Sequence, residues 1–185
     1  IKWSNKIEPC EIAAEGDAVA TETEQLSDIE TGAGREADAI FATENTAKYQ
    51  ILADNAGQDK TVRLHISGKK DAHTAGCVEI VAKENSTLTV VMDSRVALDA
   101  TKEEDSTAEA SLAVRVRMKV ESGASVRLIQ IQMPQEHETL LSDIGGNLIG
   151  EGAKVEYIQM FLGKGNLYSG FRMYLNGKGS AFSTE

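Results

Sequence analysis

The segment Gly-Ala-Ser-Val-Arg-Leu-Ile-Gln-Ile-Gln-Met at 123–133 returns, without a gap, as Gly-Ala-Lys-Val-Glu-Tyr-Ile-Gln-Met-Phe-Leu at 152–162, 29 residues later. Gly123, Ala124, Val126, Ile129 and Gln130 of the first copy match Gly152, Ala153, Val155, Ile158 and Gln159 of the second. Each copy is a tight turn followed by a strand. Self-similarity at such an interval marks a stacked-repeat architecture, in which each coil buries its apolar face against the next. No other feature of the chain restricts the fold as much.

The two copies share an irregularity. Val126 and Leu128 fall on one face of the strand, whereas Ile129, Ile131 and Met133 fall on the other. Val155 and Tyr157 are followed in the same way by Ile158, Met160 and Leu162. Strand side chains alternate with period two, so a slipped apolar phase predicts a bulge or corner at this point. A solenoid bends at the same height in every coil, and the expected fold is therefore an all-β, parallel β-helix. The competing arrangement is an antiparallel sandwich or jelly roll in which two strands are alike by chance.

The flanking sequence reads as more strands. Val62, Leu64 and Ile66 alternate with Arg63, His65 and Ser67, ending at Gly68. Val78–Ala82 and Thr87–Met92 follow, with Glu84-Asn85 as the turn between them. Residues 93–110 are polar, acidic and without alternation, and predict a long surface loop. Leu112, Val114, Val116, Met118 and Val120 predict the cleanest strand, with Arg115, Arg117 and Lys119 turned toward water. Phe171, Met173 and Leu175 predict a final one. Residues 1–59 form a less regular N-terminal segment, and 60–185 the β-helix core. Within that segment Asp38–Phe41 and Tyr49–Leu52 read as short strands, and the Ala and Glu content admits a helix between Glu11 and Ile29.

Charge excludes several functions. With 29 acidic and 19 basic side chains the formal net charge is −10, which disfavours nucleic acid and anionic membrane surfaces. No apolar run is long enough to span a bilayer. The first residues do not read as a signal peptide, and the chain starts without Met, so it is expected to be processed or part of a longer product. The two cysteines are too few for a disulfide framework, and a cytoplasmic setting is expected.

Val78–Asp93, Leu148–Gly163 and Met173–Glu185 resemble the core of the SufB/SufD family of the SUF iron–sulfur cluster assembly machinery. The likeness lies in an apolar strand, an acidic turn, a second strand and a Leu-x-Gly-x-Gly-Ser step, seen at Glu84–Val90, Glu151–Val155 and Leu175–Ser180. It is good over about 60–185 and loose before that. The resemblance implies a right-handed parallel β-helix and a SufD-like, non-enzymatic scaffold subunit within a protein complex. Its partners would be a SufB-like subunit and a SufC-like ATPase. The family pattern continues beyond Glu185 into further coils and a helical region, where its interface cysteine and histidine lie. No position here matches them, so no catalytic, cofactor or metal residue is assigned and no cofactor is expected. A coil ending at Glu185 would expose an unpaired edge, and end-to-end self-association as a homo-oligomer is the expectation for this length of chain. The alternative is an extracellular carbohydrate-binding or adhesive β-helix, or an all-β module with another ligand. That class wants aromatic platforms, and Trp3 is the one tryptophan.

Individual residues carry less. Cys10 and Cys77 lack metal-ligand spacing and read as buried structural thiols. His65 and His73 read as surface residues, and His137 as a loop residue paired with Glu136 or Glu138. The Gly-Lys-Gly sequences at 163–165 and 177–179 read as turns, lacking the rest of a phosphate loop. The Glu103-Glu104-Asp105 run lacks calcium-loop spacing and reads as a solvated face.

Overall fold

A computed structural model of the chain describes residues 6–43, 45–54, 56–96 and 109–185. The chain winds as a parallel β-solenoid with two sheets. Its strands are β1 (Ile7–Pro9), β2 (Glu11–Gly16), β3 (Val19–Glu22), β4 (Ala47–Ala53), β5 (Asp59–Gly68), β6 (His73–Ala82), β7 (Thr87–Val96), β8 (Ala110–Val120), β9 (Ser125–Gln132), β10 (Glu138–Leu148), β11 (Lys154–Phe161), β12 (Asn166–Leu175) and β13 (Ala181–Thr184). Even-numbered strands from β4 onward build one sheet in the order β12-β10-β8-β6-β4-β3, with β1 also on β6. Odd-numbered strands from β5 onward, with β2 at the edge, build the other in the order β13-β11-β9-β7-β5-β2. We call them the even and odd sheets. Pairing is parallel throughout except where β2 and β3 run antiparallel to β5 and β4.

The repeated segment is explained by the corner that starts each odd strand. Gly57, Asn85, Gly123, Gly152 and Gly179 all adopt positive φ, between 57° and 75°. That left-handed conformation suits glycine and is tolerated by asparagine. The corners are hydrogen-bonded to one another: Gly57 N–H donates to Asn85 O, Asn85 N–H to Ser122 O, Gly123 N–H to Glu151 O, and Gly152 N–H to Lys178 O. One such residue per coil sets the repeat.

The core lies between the sheets. Ile51, Val78, Ile80, Val116, Met118, Ile144 and Leu148 from the even sheet meet Leu64, Ile66, Leu88, Val90, Val126, Leu128 and Val155 from the odd sheet. Near the second corner the interior turns polar. Gln130 accepts from Ser142 Oγ at 2.7 Å and from Tyr157 Oη at 2.8 Å, and Gln159 donates to Gln132 at 2.9 Å. The side-chain partners offset the desolvation of these amides.

Five expectations are corrected. The slipped phase is not a bulge: β9 pairs with β7 and β11 in one unbroken register. Gln130 and Gln132 continue the inner row, and the apolar residues face outward. Asp38–Phe41 is not a strand but belongs to a helix, α1 (Arg35–Phe41), and Glu11–Ile29 holds β2 and β3 in place of a helix. Arg115 is not turned to water but buried. Asp93–Val96 extends β7 instead of starting a loop. Residues 97–108, with Glu103, Glu104 and Asp105, lie outside the described residues.

Candidate functional site

Alternation places one row of each strand on the outside of the solenoid, and the two outer faces differ. On the even sheet the outer rows across β6, β8, β10 and β12 are Ala75–Ala113–Leu141–Tyr168, Cys77–Arg115–Asp143–Gly170 and Glu79–Arg117–Gly145–Arg172. Residues 25–41 cross these rows as a strap. Asp143 is wholly buried beneath it. Its carboxylate accepts from Thr31 Oγ1 and from the Ala33 amide, each at 2.7 Å, and from Arg115 Nε at 2.7 Å. Arg115 reaches on to Asp38 of α1 at 2.7 Å, and the Phe41 ring covers its guanidinium, 4.4 Å from the centroid. This charge is desolvated but paired on both sides, which is the condition for tolerating it.

Further contacts fix the strap at either end. Glu79 accepts from the Ser27 amide at 3.1 and 3.2 Å, and Arg117 donates to Ile29 O at 2.9 Å. Arg172 donates to Glu30 at 2.7 Å, and Tyr174 Oη also bonds Glu30. Those two donors, Tyr174 first, hold the Glu30 carboxyl below its ordinary range. Ala37 and Ile40 of α1 pack on Ala75, Ala113 and Leu141. A side chain at Gly145 would meet the Glu30 carbonyl, and one at Gly170 the backbone of Gly32, so close approach requires glycine there. None of this was legible in the pairing of short motifs, because its members are up to 144 residues apart.

On the odd sheet the outer rows across β5, β7, β9 and β11 are Arg63–Val91–Ile129–Ile158 and His65–Asp93–Ile131–Met160. Met133 and Leu162 continue the register. Asp93 is buried, accepts from His65 Nδ1 at 2.7 Å, and lies 3.2 Å from Arg95 Nη2 and 3.7 Å from Arg63 Nε. Glu15 is 3.4 Å from His65 Nε2. His65 therefore points outward as expected, and the register adds a fixed carboxylate partner that spacing did not reveal.

The two thiols are buried. Cys10 donates its amide to Ala75 O and lies in the core beside Gly76, whereas Cys77, the next residue, faces outward beside Arg115. Side chains on opposite faces of one strand ladder do not converge on a shared ion. Burial, with a smaller contribution from Cys77, pushes the Cys10 thiol up to about 12. Burial also raises Cys77, against the pull of Arg115. His73 bonds Ser111. His137 is exposed with φ 69°, and Glu138 turns to the Gln135 amide at 2.7 Å. Both Gly-Lys-Gly sequences are connections between strands, packed on Pro134 and Gly150. Among the described residues no group of three His, Cys, Asp or Glu side chains is placed to hold a metal ion. None of the described helices is long and apolar enough to cross a membrane.

The last coil is apolar. Phe171 packs between Tyr157 and Phe182 at centroid distances of 6.2 and 5.3 Å, yet remains 47% exposed. The solenoid thus presents one outer face crossed by a strap and another with no described segment upon it. A family model, the SUF system FeS cluster assembly SufBD core domain, matches residues 65–185. No curated protein and no solved structure matches the chain.

Proposed function

The chain belongs to the SufBD core family of the SUF iron–sulfur cluster assembly system, and from that premise we propose that it is a SufD-like, non-enzymatic scaffold subunit acting in the cytoplasm. Its partners in this reading are a SufB-like subunit and a SufC-like ATPase. The observation that carries the proposal is the coincidence of the family match with the parallel coils from β5 to β13. A solenoid of stacked coils is stiff and presents long faces and ends, which suits holding other subunits in register. In this reading the iron–sulfur cluster is cargo of the assembly; that Cys10 and Cys77 point to opposite faces supports it.

Affinity purification of the tagged protein from its own cells tests the reading. The expected result is stoichiometric recovery of a SufC-like ATPase, identified by mass and by ATP hydrolysis, and of a SufB-like chain. Recovery of the tagged protein while both of those remain in the unbound fraction would overturn it.

A further inference from the structure

The outer face of the odd sheet carries a feature that a scaffold role does not require. Val91, Ile129, Ile131, Met133, Ile158, Met160 and Leu162 form one contiguous apolar patch over β7, β9 and β11. Met160 is 43% and Leu162 68% exposed, and the others are half-buried. An outward row normally alternates to polar side chains, and an apolar patch on the exterior marks an interaction site. Its rim carries three arginines, Arg63, Arg95 and Arg127, each about half exposed and each with donors beyond the one turned to Asp93 or Glu156, and Glu15 stands beside His65.

We propose that this patch is the docking face for a short, acidic, amphipathic helix of a partner protein. Three observations select that occupant. The first is size. Three strands span about 10 Å and the apolar rows about 13 Å along the strand. That footprint fits one helix, whose diameter with side chains is about 10–12 Å. The second is extent. Seven side chains are well short of the roughly 20–30 residues a side of a standard interface, so a second globular copy meeting only here would not hold.

The third is charge and precedent. The chain is acidic, but beyond about a Debye length that charge is screened and the arginine rim decides what is attracted. The same molecule already shows this recognition on its other face. There α1, with Glu36 and Asp38 in its first turn, lays Ala37 and Ile40 on Ala75, Ala113 and Leu141 and sets Asp38 on Arg115. The odd sheet presents the matching receptor, apolar residues beside arginines, with no helix of this chain among the described residues upon it. Recognition follows the helix-on-groove mode, with apolar residues at helical spacing as anchors.

The probe is a fluorescein-labelled synthetic peptide of ~15 residues, long enough to hold helix, with Leu and Ile on one face and Glu on the other. A twin carries Lys in place of Glu. Anisotropy is read against the full protein and its variants, each checked for unchanged circular dichroism. The Glu peptide is expected to bind, and Ile131→Ser and Met160→Ser each to weaken it about ten-fold, as loss of an anchor does. Arg127→Glu should weaken it several-fold and flatten its salt dependence, and the Lys twin should bind at least about ten-fold more weakly. Leu175→Ser, on the terminal coil, should change nothing. Four results would overturn the proposal: no binding of the Glu peptide, equal binding of the twin, indifference to Ile131→Ser and Met160→Ser, or a protein dimer that those two substitutions abolish. Copurification with SUF subunits is read separately, so either proposal can fail alone.

Discussion

The outer faces of the two sheets are built from the same coils, in the same register, yet one is covered by the strap and the other carries no helix or strap among the described residues. The even face is kept by polar linchpins. Asp143, Arg115 and Glu79 are buried, and they bind the strap chiefly through its backbone, through Thr31 and through Asp38. The odd face keeps its charges at the edge, pairs them with one another, and leaves the centre apolar. A buried charge that needs a specific partner fixes one segment in one place. An apolar centre with a charged rim leaves the place open to a separate chain. The difference lies in where the charge stands relative to the apolar residues, not in how much of either there is.

The largest expected effect comes from breaking the covered face at its centre. Asp143→Ala leaves Arg115 buried beside one exposed carboxylate, Asp38, and should cost about 3–5 kcal/mol in a urea titration. The same change should raise hydrogen exchange across residues 27–41 well before the core. The paired replacement Asp143→Leu with Arg115→Leu removes both charges and should recover most of that loss. If the single and paired variants are equally unstable, the ion pair is not what holds the strap.

Gly145→Val comes next. Its side chain would push into the Glu30 carbonyl, and a loss of about 1–3 kcal/mol is expected, as for other overpacked sites. Strap exchange should rise here too, while the odd face stays unchanged. A neutral result would mean that the strap is not seated against β10.

A smaller effect is set by alkaline pH. The folded Cys10 thiol is raised above its unfolded value, so its stabilising contribution is complete below about pH 9 and is lost as pH rises toward 12. Between pH 9 and 10 the loss is about 1 kcal/mol. Cys10→Ala should remove that pH dependence while lowering stability at pH 7. The smallest effect belongs to the bare face: Ile129→Thr should change stability by no more than about 0.5 kcal/mol, as at other surface positions. A loss comparable to Gly145→Val would show that something in this chain already covers it.

The strands β5 to β9, β11 and β12 were legible where their inner rows are mostly Val, Leu, Ile and Met, because alternation reports that directly, whereas Ser142 and Gly146 interrupt the inner row of β10. What alternation does not report is what lies on the outer row. Arg115 sits where a solvated arginine would sit, and only the strap, far away in sequence, buries it. Helix α1 was read as a strand because seven residues are too few for a helical period to show. The phase slip was seen at the right residues and given the wrong cause. Gln130 and Gln132 are amides on the inside, hydrogen-bonded to Ser142, Tyr157 and Gln159, while Ile129 and Ile131 are apolar on the outside. Polarity exchanged faces and the backbone did not.

That exchange underlies both the bare face and the proposal built on it, and one measurement tests it directly. Single cysteines placed at 129, 130, 131, 132, 158, 159 and 160 can be labelled with a maleimide at pH 7, against the native Cys10 and Cys77 as buried, slow references. Fast labelling at 129, 131, 158 and 160, with slow labelling at 130 and 132 and intermediate labelling at 159, is the predicted pattern. Slow labelling at 129 and 131 with fast labelling at 130 and 132 would place a bulge in β9 after all, turn the isoleucines into the core, and remove the apolar face.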